Sequence, residues 1–325
     1  MFILNGVYMI QTWDVVSKHR SELMLLSILW VIGFHFSTPP YLTIQDTLIS
    51  IGCSGVDFFM FLSGFGLCYN YYNKINFNVF DFYKRRFIKI LPTYYMCIIV
   101  FGLITGLSIV DLAWQMSCVG FWIGKSYYDW YVPSILLLYL IFPFFVMYAK
   151  KFGIGRMAVI ASFIGMIPTV MFIYLMKGTP ILFTARIPIF FIGCYAGYML
   201  ANKKTIRYPI LLIAVSIITF VSEIYIAGIY DYQFMHRTGL YYIPLMFVVP
   251  GACLLLSALL EFIPNKILVP FRWLGAMTLE IYLVHMSLRT IYPKSKYLLP
   301  IIIAIILHYT VKYATNFINQ TRGGR

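Results

Sequence analysis

Residues 47–69 read TLISIGCSGVDFFMFLSGFGLCY. Asp57 is the one charged side chain in this stretch. A helix rising 1.5 Å per residue covers about 34 Å over that length, slightly more than the roughly 30 Å hydrocarbon core of a bilayer. An α-helix satisfies its own backbone polar groups, so such a run is stable with lipid around it. Similar runs recur outward in both directions, at 22–38, 87–109, 131–149, 155–176, 181–201, 208–229, 239–262, 271–292 and 297–318. The pattern predicts an all-α integral membrane protein of about ten transmembrane helices. The stretch 112–124 is apolar but short for a crossing, and is expected to be re-entrant or interfacial. If it crosses, every later loop changes side.

Composition points the same way. Hydrophobic residues make up 61% of the 325-residue chain and charged residues 11%, against roughly 25% charged in soluble proteins. The net charge of +14 would suggest a nucleic-acid partner in a soluble protein. Here the Lys and Arg residues sit between the apolar runs, which fits topology better and leaves no reason to expect nucleic acid. They gather on alternate loops: Lys18 and Arg20, Lys74 to Lys89, Lys150 to Arg156, Lys203 to Arg207, Lys266 and Arg272, Arg322 and Arg325. The opposite side holds Lys125, Lys177, Arg237, Arg289, Lys294 and Lys296. The positive-inside rule therefore predicts that both termini are cytoplasmic. Aromatic clusters such as Tyr69, Tyr71 and Tyr72, or Tyr127, Tyr128, Trp130 and Tyr131, flank the runs as an interfacial belt does.

Asp14, Lys18, His19 and Arg20 interrupt the start of the chain, so no cleavable signal is expected and residues 1–21 read as a cytoplasmic segment. No loop reaches domain size. The whole of 1–325 therefore reads as a single transmembrane domain with no appended soluble domain. The six cysteines form no CxxC pair, and no His or Cys stands at zinc-ligand spacing, so buried small residues and no metal are expected.

Polar groups at membrane depth are costly, about 2.5 to 3.5 kcal/mol for a charge at a helix centre, and so carry information. The candidates are His35, Asp57, Ser63, Arg186, Glu223, Glu280, His285 and His308. His35 follows Arg20 by about 22 Å of helix, which places it well inside the bilayer, toward the outer half. A membrane histidine can bridge helices structurally or move protons, and residue type alone leaves both readings open. After the second run comes the basic segment Phe82-Tyr-Lys-Arg85-Arg86-Phe-Ile-Lys89-Ile-Leu-Pro92. Arg86 and Lys89, three residues apart, share a helix face and can grip phosphates together.

At these residues the sequence resembles the acyltransferase-3 family. The resemblance rests on His35 in the first span, on Gly55-Val56-Asp57 leading to Ser63-Gly64-Phe65 in the second, and on the basic, proline-ended start of the third. It continues through Trp130 to Pro143, through Arg186 with Phe190, Phe191, Gly193 and Gly197, and through Leu274-Gly275 to Thr278-Leu-Glu-Ile-Tyr-Leu283 and His285. The blocks arrive in family order over roughly residues 20 to 320. There are departures. Met24 stands where the family often has an arginine, a charge that Arg20 or Arg186 would supply. Lys89 replaces an arginine and lacks its bidentate fork. Ile135 replaces a glutamate found in some members.

The resemblance implies an enzyme of the cell membrane taking an acyl group, commonly acetyl, from cytoplasmic acyl-CoA to a hydroxyl of a cell-surface polysaccharide or lipid-linked glycan. By the same resemblance, Arg85, Arg86, Lys89 and Ser63 fall to the acetyl-CoA side and His35, Asp57, Arg186 and His285 to catalysis. His35 would be the general base, with His285 as its understudy. Asp57 would orient or balance a histidine, and Arg186 would stabilise developing negative charge. Membrane lipid is the expected surrounding, and self-association into a homo-oligomer is compatible with such a chain. Two rivals remain at this level: a transporter or polysaccharide exporter, and a non-catalytic scaffold whose polar residues only join helices. Glu223 and His308 carry no motif and read as structural.

Overall fold

The computed structural model describes residues 10–36, 43–74, 76–125, 129–174, 178–229, 235, 238–292 and 297–323. Among these there are helices and no strands, and the chain is a multi-pass membrane protein. Lys177, Arg237, Lys294, Lys296 and Arg325, used above for orientation, and Tyr127 and Tyr128 of the aromatic belt lie outside the described residues.

The helices are α1 (Asp14–Lys18), α2 (Arg20–His35), α3 (Ile44–Ser50), α4 (Gly55–Tyr72), α5 (Val79–Thr105), α6 (Ile109–Met116), α7 (Tyr131–Phe152), α8 (Ile154–Tyr174), α9 (Gly178–Thr184), α10 (Ile187–Ala201), α11 (Pro209–Ile229), α12 (Leu245–Leu260), α13 (Asn265–Gly275), α14 (Thr278–Ile291) and α15 (Leu298–Gly323). Among the described residues eight helical stretches are long and apolar enough to cross a membrane. A ninth is obtained if α13 and α14 count as one broken span.

Several expected spans differ from their simple form, and those at 47–69 and 181–201 are interrupted just before α4 and α10. The first, expected at 22–38, is α2, 16 residues long and about 24 Å, short for a crossing by itself. The span expected at 271–292 is interrupted at Ala276 and Met277. Gly275 lies so close to the Ser21 backbone that a Cβ there would collide with its carbonyl, a packing demand that no hydropathy profile registers. The third span starts earlier than expected, at Val79, because the Asn78 side chain accepts from the Asp81 amide and caps the helix. Arg85 and Arg86 therefore join Lys89 within α5 rather than preceding it. Helix α6, of 8 residues and about 12 Å, is too short to cross.

The chain forms two compact units, Met1–Phe77 with Ile141–Ala276, and Asn78–Leu140 with Met277–Arg325. The first contains the most intimate helix pair, α4 on α10. Side chains at Gly64, Gly193 and Gly197 would strike the carbonyl oxygens of Phe190, Phe61 and Phe65 respectively, so backbone meets backbone. Gly193 and Gly197 form a GxxxG step, the spacing that lets membrane helices approach without a hydrophobic driving force. Ser63 is buried beside Gly64. In the second unit α5 packs against α6, α14 and α15, and α14 packs against α15.

This packing sets an expectation. Gly197→Leu should push α10 off α4 and lower stability by about 1 to 3 kcal/mol, the usual cost of overpacking. Gly124→Leu meets no neighbouring atom within 4 Å, but its φ of +72° adds strain, so Ile123→Leu at a half-exposed position is the neutral control. Thermal unfolding in detergent measures both.

Candidate active site

In the first unit the polar core forms where two helices are interrupted. A 3-10 turn, Gly52–Ser54, leads into α4 and puts Asp57 in its first turn, where the helix dipole favours a carboxylate. Arg186 is the residue before α10, after the end of α9. Both side chains are almost wholly enclosed, Asp57 at 0% and Arg186 at 1% exposure. Arg186 Nε donates to both Asp57 oxygens, at 3.1 and 3.0 Å. Its Nη1 donates to the Leu182 carbonyl at 2.6 Å and its Nη2 to the Cys53 carbonyl at 3.3 Å. These carbonyls belong to the ends of broken helices and need a donor in the absence of water. The Tyr242 ring lies 4.1 Å below the guanidinium, adding a cation–π contact.

Tyr242 and its neighbour Tyr241 are placed by the 3-10 turn Leu240–Tyr242, which follows Gly239 at φ +74°. The Tyr241 hydroxyl lies 2.6 Å from Ser54 Oγ and 3.2 Å from the Ile51 carbonyl, to which it donates. Glu223 on α11 is 3% exposed, and both its oxygens are enclosed with no hydrogen bond at 3.5 Å or less among the described residues. Tyr241 and Asp57 are the titratable groups that bear on it.

The structure thus joins Asp57 with Arg186, so the carboxylate balances an arginine rather than a histidine. His35 is the last residue of α2, half-buried, with its ring 5.2 Å from Phe34. Arg20, at the other end of α2, donates from Nε to the Leu62 carbonyl at 3.2 Å. Beside it is an ion network that residue type did not announce. Glu22 Oε1 accepts from Arg272 Nε at 2.7 Å, and His19 lies between Glu22 and Glu261 at 3.2 and 2.7 Å.

The second unit carries Arg85, Arg86, Lys89 and His285; Ser63 belongs to the first. Arg85 and Lys89 are exposed on α5. The Arg86 guanidinium stands 5.7 Å from the Phe82 ring and 5.7 Å from the Tyr139 ring, and its enclosed Nε makes no hydrogen bond among the described residues. A cation held by rings, with no carboxylate on it among the described residues, keeps its donor edge for an anion. His285 is fully buried on α14. On the same helix the Tyr282 hydroxyl donates to Asp129 Oδ1 at 2.6 Å, and Asp129 also accepts from the Tyr131 and Val132 amides, capping α7. Burial lifts the Asp129 carboxyl above the usual range, against the pull of those three hydrogen bonds. Glu280 and His308 are paired as well, Nδ1 to Oε1 at 2.9 Å. Among the described residues no group of three His, Cys, Asp or Glu is placed to hold a metal ion.

The Asp57 and Arg186 pair should behave as one unit. Asp57→Asn or Arg186→Met alone leaves an uncompensated buried group and is expected to cost about 3 to 5 kcal/mol, whereas the double replacement should recover part of that loss. Thermal unfolding of the three variants reads the coupling, and additive losses would show that the pair does not act together.

No curated protein and no solved structure matches the chain. A family model described as an acyltransferase domain matches residues 25–319, nearly the whole length, and takes in His35, Asp57, Arg86, Arg186 and His285. With its membrane-crossing helices and that match, the chain belongs to the acyltransferase-3 family and is a membrane acyltransferase.

Proposed function

We propose that this acyltransferase is an O-acetyltransferase of the cell membrane, with both termini cytoplasmic, that moves the acyl group of acetyl-CoA onto a hydroxyl of a cell-surface polysaccharide or lipid-linked glycan. The observation that carries the donor side is Arg86, held between two rings without a carboxylate partner among the described residues, with exposed Lys89 three residues on. Two cations on one helix face suit the phosphates of coenzyme A, and Arg85 adds to the local positive field.

The reaction needs a base for the acceptor hydroxyl. His35 takes that role by its place in the family pattern, since a neutral imidazole accepts a proton near neutral pH. The acceptor oxygen attacks the thioester carbonyl, the carbon–sulfur bond breaks, and the hydroxyl proton passes to His35. His285, buried in the second unit, is the alternative base. Asp57 and Arg186 act as positioning residues, because the guanidinium donates from Nε, Nη1 and Nη2 to Asp57 and to two helix-end carbonyls. Ser63, buried in α4, keeps its place on the donor side by the family pattern alone.

The donor and the base are tested separately on purified protein in nanodiscs. Arg86→Ala with Lys89→Ala should weaken acetyl-CoA binding by about tenfold or more and flatten its salt dependence, since fewer phosphate contacts remain to be screened. Unchanged affinity in a folded double variant moves the donor site elsewhere. His35→Ala should keep its melting temperature and donor affinity while transfer falls by about 10² to 10⁴-fold; near-normal turnover removes His35 as the base. Orientation is read by single cysteines in a cysteine-free background. Asn76→Cys should be shielded from an impermeant reagent in intact cells, and Asp231→Cys, at a position outside the described residues, should react.

A further inference from the structure

Within the second unit, Glu280 and His308 meet across 28 residues of sequence, with His308 Nδ1 2.9 Å from Glu280 Oε1. A carboxylate only accepts, so Nδ1 carries the proton and Nε2 is left as the working nitrogen. This is the orientation by which a carboxylate fixes the tautomer of a catalytic histidine and offsets the charge of its imidazolium. Here the His308 side chain remains 25% exposed while Glu280 is 11% exposed.

Position adds to geometry. His308 lies ten residues into the membrane-crossing stretch Leu298–Asn316, about 15 Å along it, which is mid-depth for a core of roughly 30 Å. Glu280 is in the first turn of α14, just after the break at Ala276 and Met277, where the helix dipole is complementary to a carboxylate. Interrupted helices at mid-depth are where membrane proteins build polar sites. Helix α5 packs on both α14 and α15. Its Cys97 lies close enough to Glu280 to feel its charge, and Cys97 is about 16 Å along α5 from Arg86. The dyad thus belongs to the same unit and the same helix group as the proposed phosphate grip, displaced inward by a distance of the order of the pantetheine arm that separates the phosphates of coenzyme A from its thioester.

We propose that Glu280 and His308 form a proton-transfer dyad for the sulfur of the acyl donor, with His308 as a further catalytic residue and Glu280 as its positioning residue. The proposal rests on the acyl-CoA reading above. When the acceptor oxygen bonds to the carbonyl carbon, the carbon–sulfur electron pair stays on sulfur. A bare thiolate at this depth is costly. His308, protonated at Nε2 from water, gives that proton to the sulfur as it leaves, while the proton lost by the acceptor hydroxyl passes through the base to water. One proton is thereby exchanged for one, and the products are the ester and the free thiol.

The test varies the leaving group. Membrane vesicles containing the full-length protein and its endogenous acceptor are given labelled acetyl-CoA or the labelled acetyl thioester of thionitrobenzoate, an aryl thiol that departs readily as an anion. Incorporation of acetyl into the membrane fraction is measured for wild type, His308→Gln and Glu280→Gln. His308→Gln should lose about 10²-fold or more with acetyl-CoA but less than about tenfold with the aryl thioester, where little proton assistance is needed. Glu280→Gln, which keeps the shape of the side chain, should show the same pattern more weakly, and it carries the test if His308→Gln does not fold. Equal losses with both donors, or no loss at an unchanged melting temperature, overturn the dyad alone. A wild-type protein that transfers from the aryl thioester and not from acetyl-CoA overturns the coenzyme reading and the dyad's role with it.

Discussion

Arg186 is a full positive charge with 1% of its surface exposed, in a chain that crosses a membrane. Such a group persists only if its charge and its donors are met from within the protein. Asp57 meets the charge, and the carbonyls of Leu182 and Cys53 take further donors. The same contacts solve a second problem. Each helix break leaves backbone oxygens that no water can reach, and the guanidinium is wide enough to serve both breaks at once. The breaks before α4 and α10 are tolerated because Arg186 is there, and Arg186 is tolerated because the breaks and Asp57 are there.

That arrangement sets the helix spacing around it. For Nε to reach Asp57 and Nη2 to reach Cys53, α10 must run against α4 at backbone distance. The glycines at 64, 193 and 197 permit this, since a Cβ at any of them would meet a carbonyl oxygen of the facing helix. Lipid gives no hydrophobic reward for bringing helices together, so close van der Waals contact and polar pairing carry the association. Gly193 and Gly197 on α10 and the ion pair at its start act on the same interface.

The sequence made the membrane architecture legible because the decisive quantity, apolar length, is local. The stretch 47–69 has one charge, and nothing folded elsewhere in the chain changes what it must do. The breaks were not legible in the same way. That at Ala276 comes directly after Gly275, which lies on the Ser21 backbone, a contact between residues far apart in sequence. The site follows the same rule. Asp57, Arg186, Glu280 and His308 each stand out as a polar residue in an apolar run, but residue type does not say that the partners 129 and 28 positions apart are these. The family pattern made Asp57 a candidate partner for histidine, whereas the structure pairs it with Arg186. Asp129 had a readable signal, an aspartate two residues before the run at 131 in an N-cap position, yet its bond to Tyr282 depends on tertiary structure.

The carboxylate pairs of the two units differ in the edges they leave open. In the Asp57–Arg186 pair both carboxylate oxygens are engaged by Nε, and the guanidinium extends to two carbonyls and an aromatic face, so the pair is directed at the protein's own backbone. In the Glu280–His308 pair the carboxylate holds one ring nitrogen while the other belongs to a partly exposed ring. A cation of the first kind cannot lose its proton under physiological conditions, and moving it would cost the contacts of two helix ends. A histidine of the second kind has one ring nitrogen held by its carboxylate and the other turned away from it. Burial and charge pairing alone would rank the first pair as the better active-site candidate. The state of the remaining donor and acceptor edges reverses that order, since the Arg186 donors end on Asp57 and two carbonyls while the His308 ring stays partly exposed.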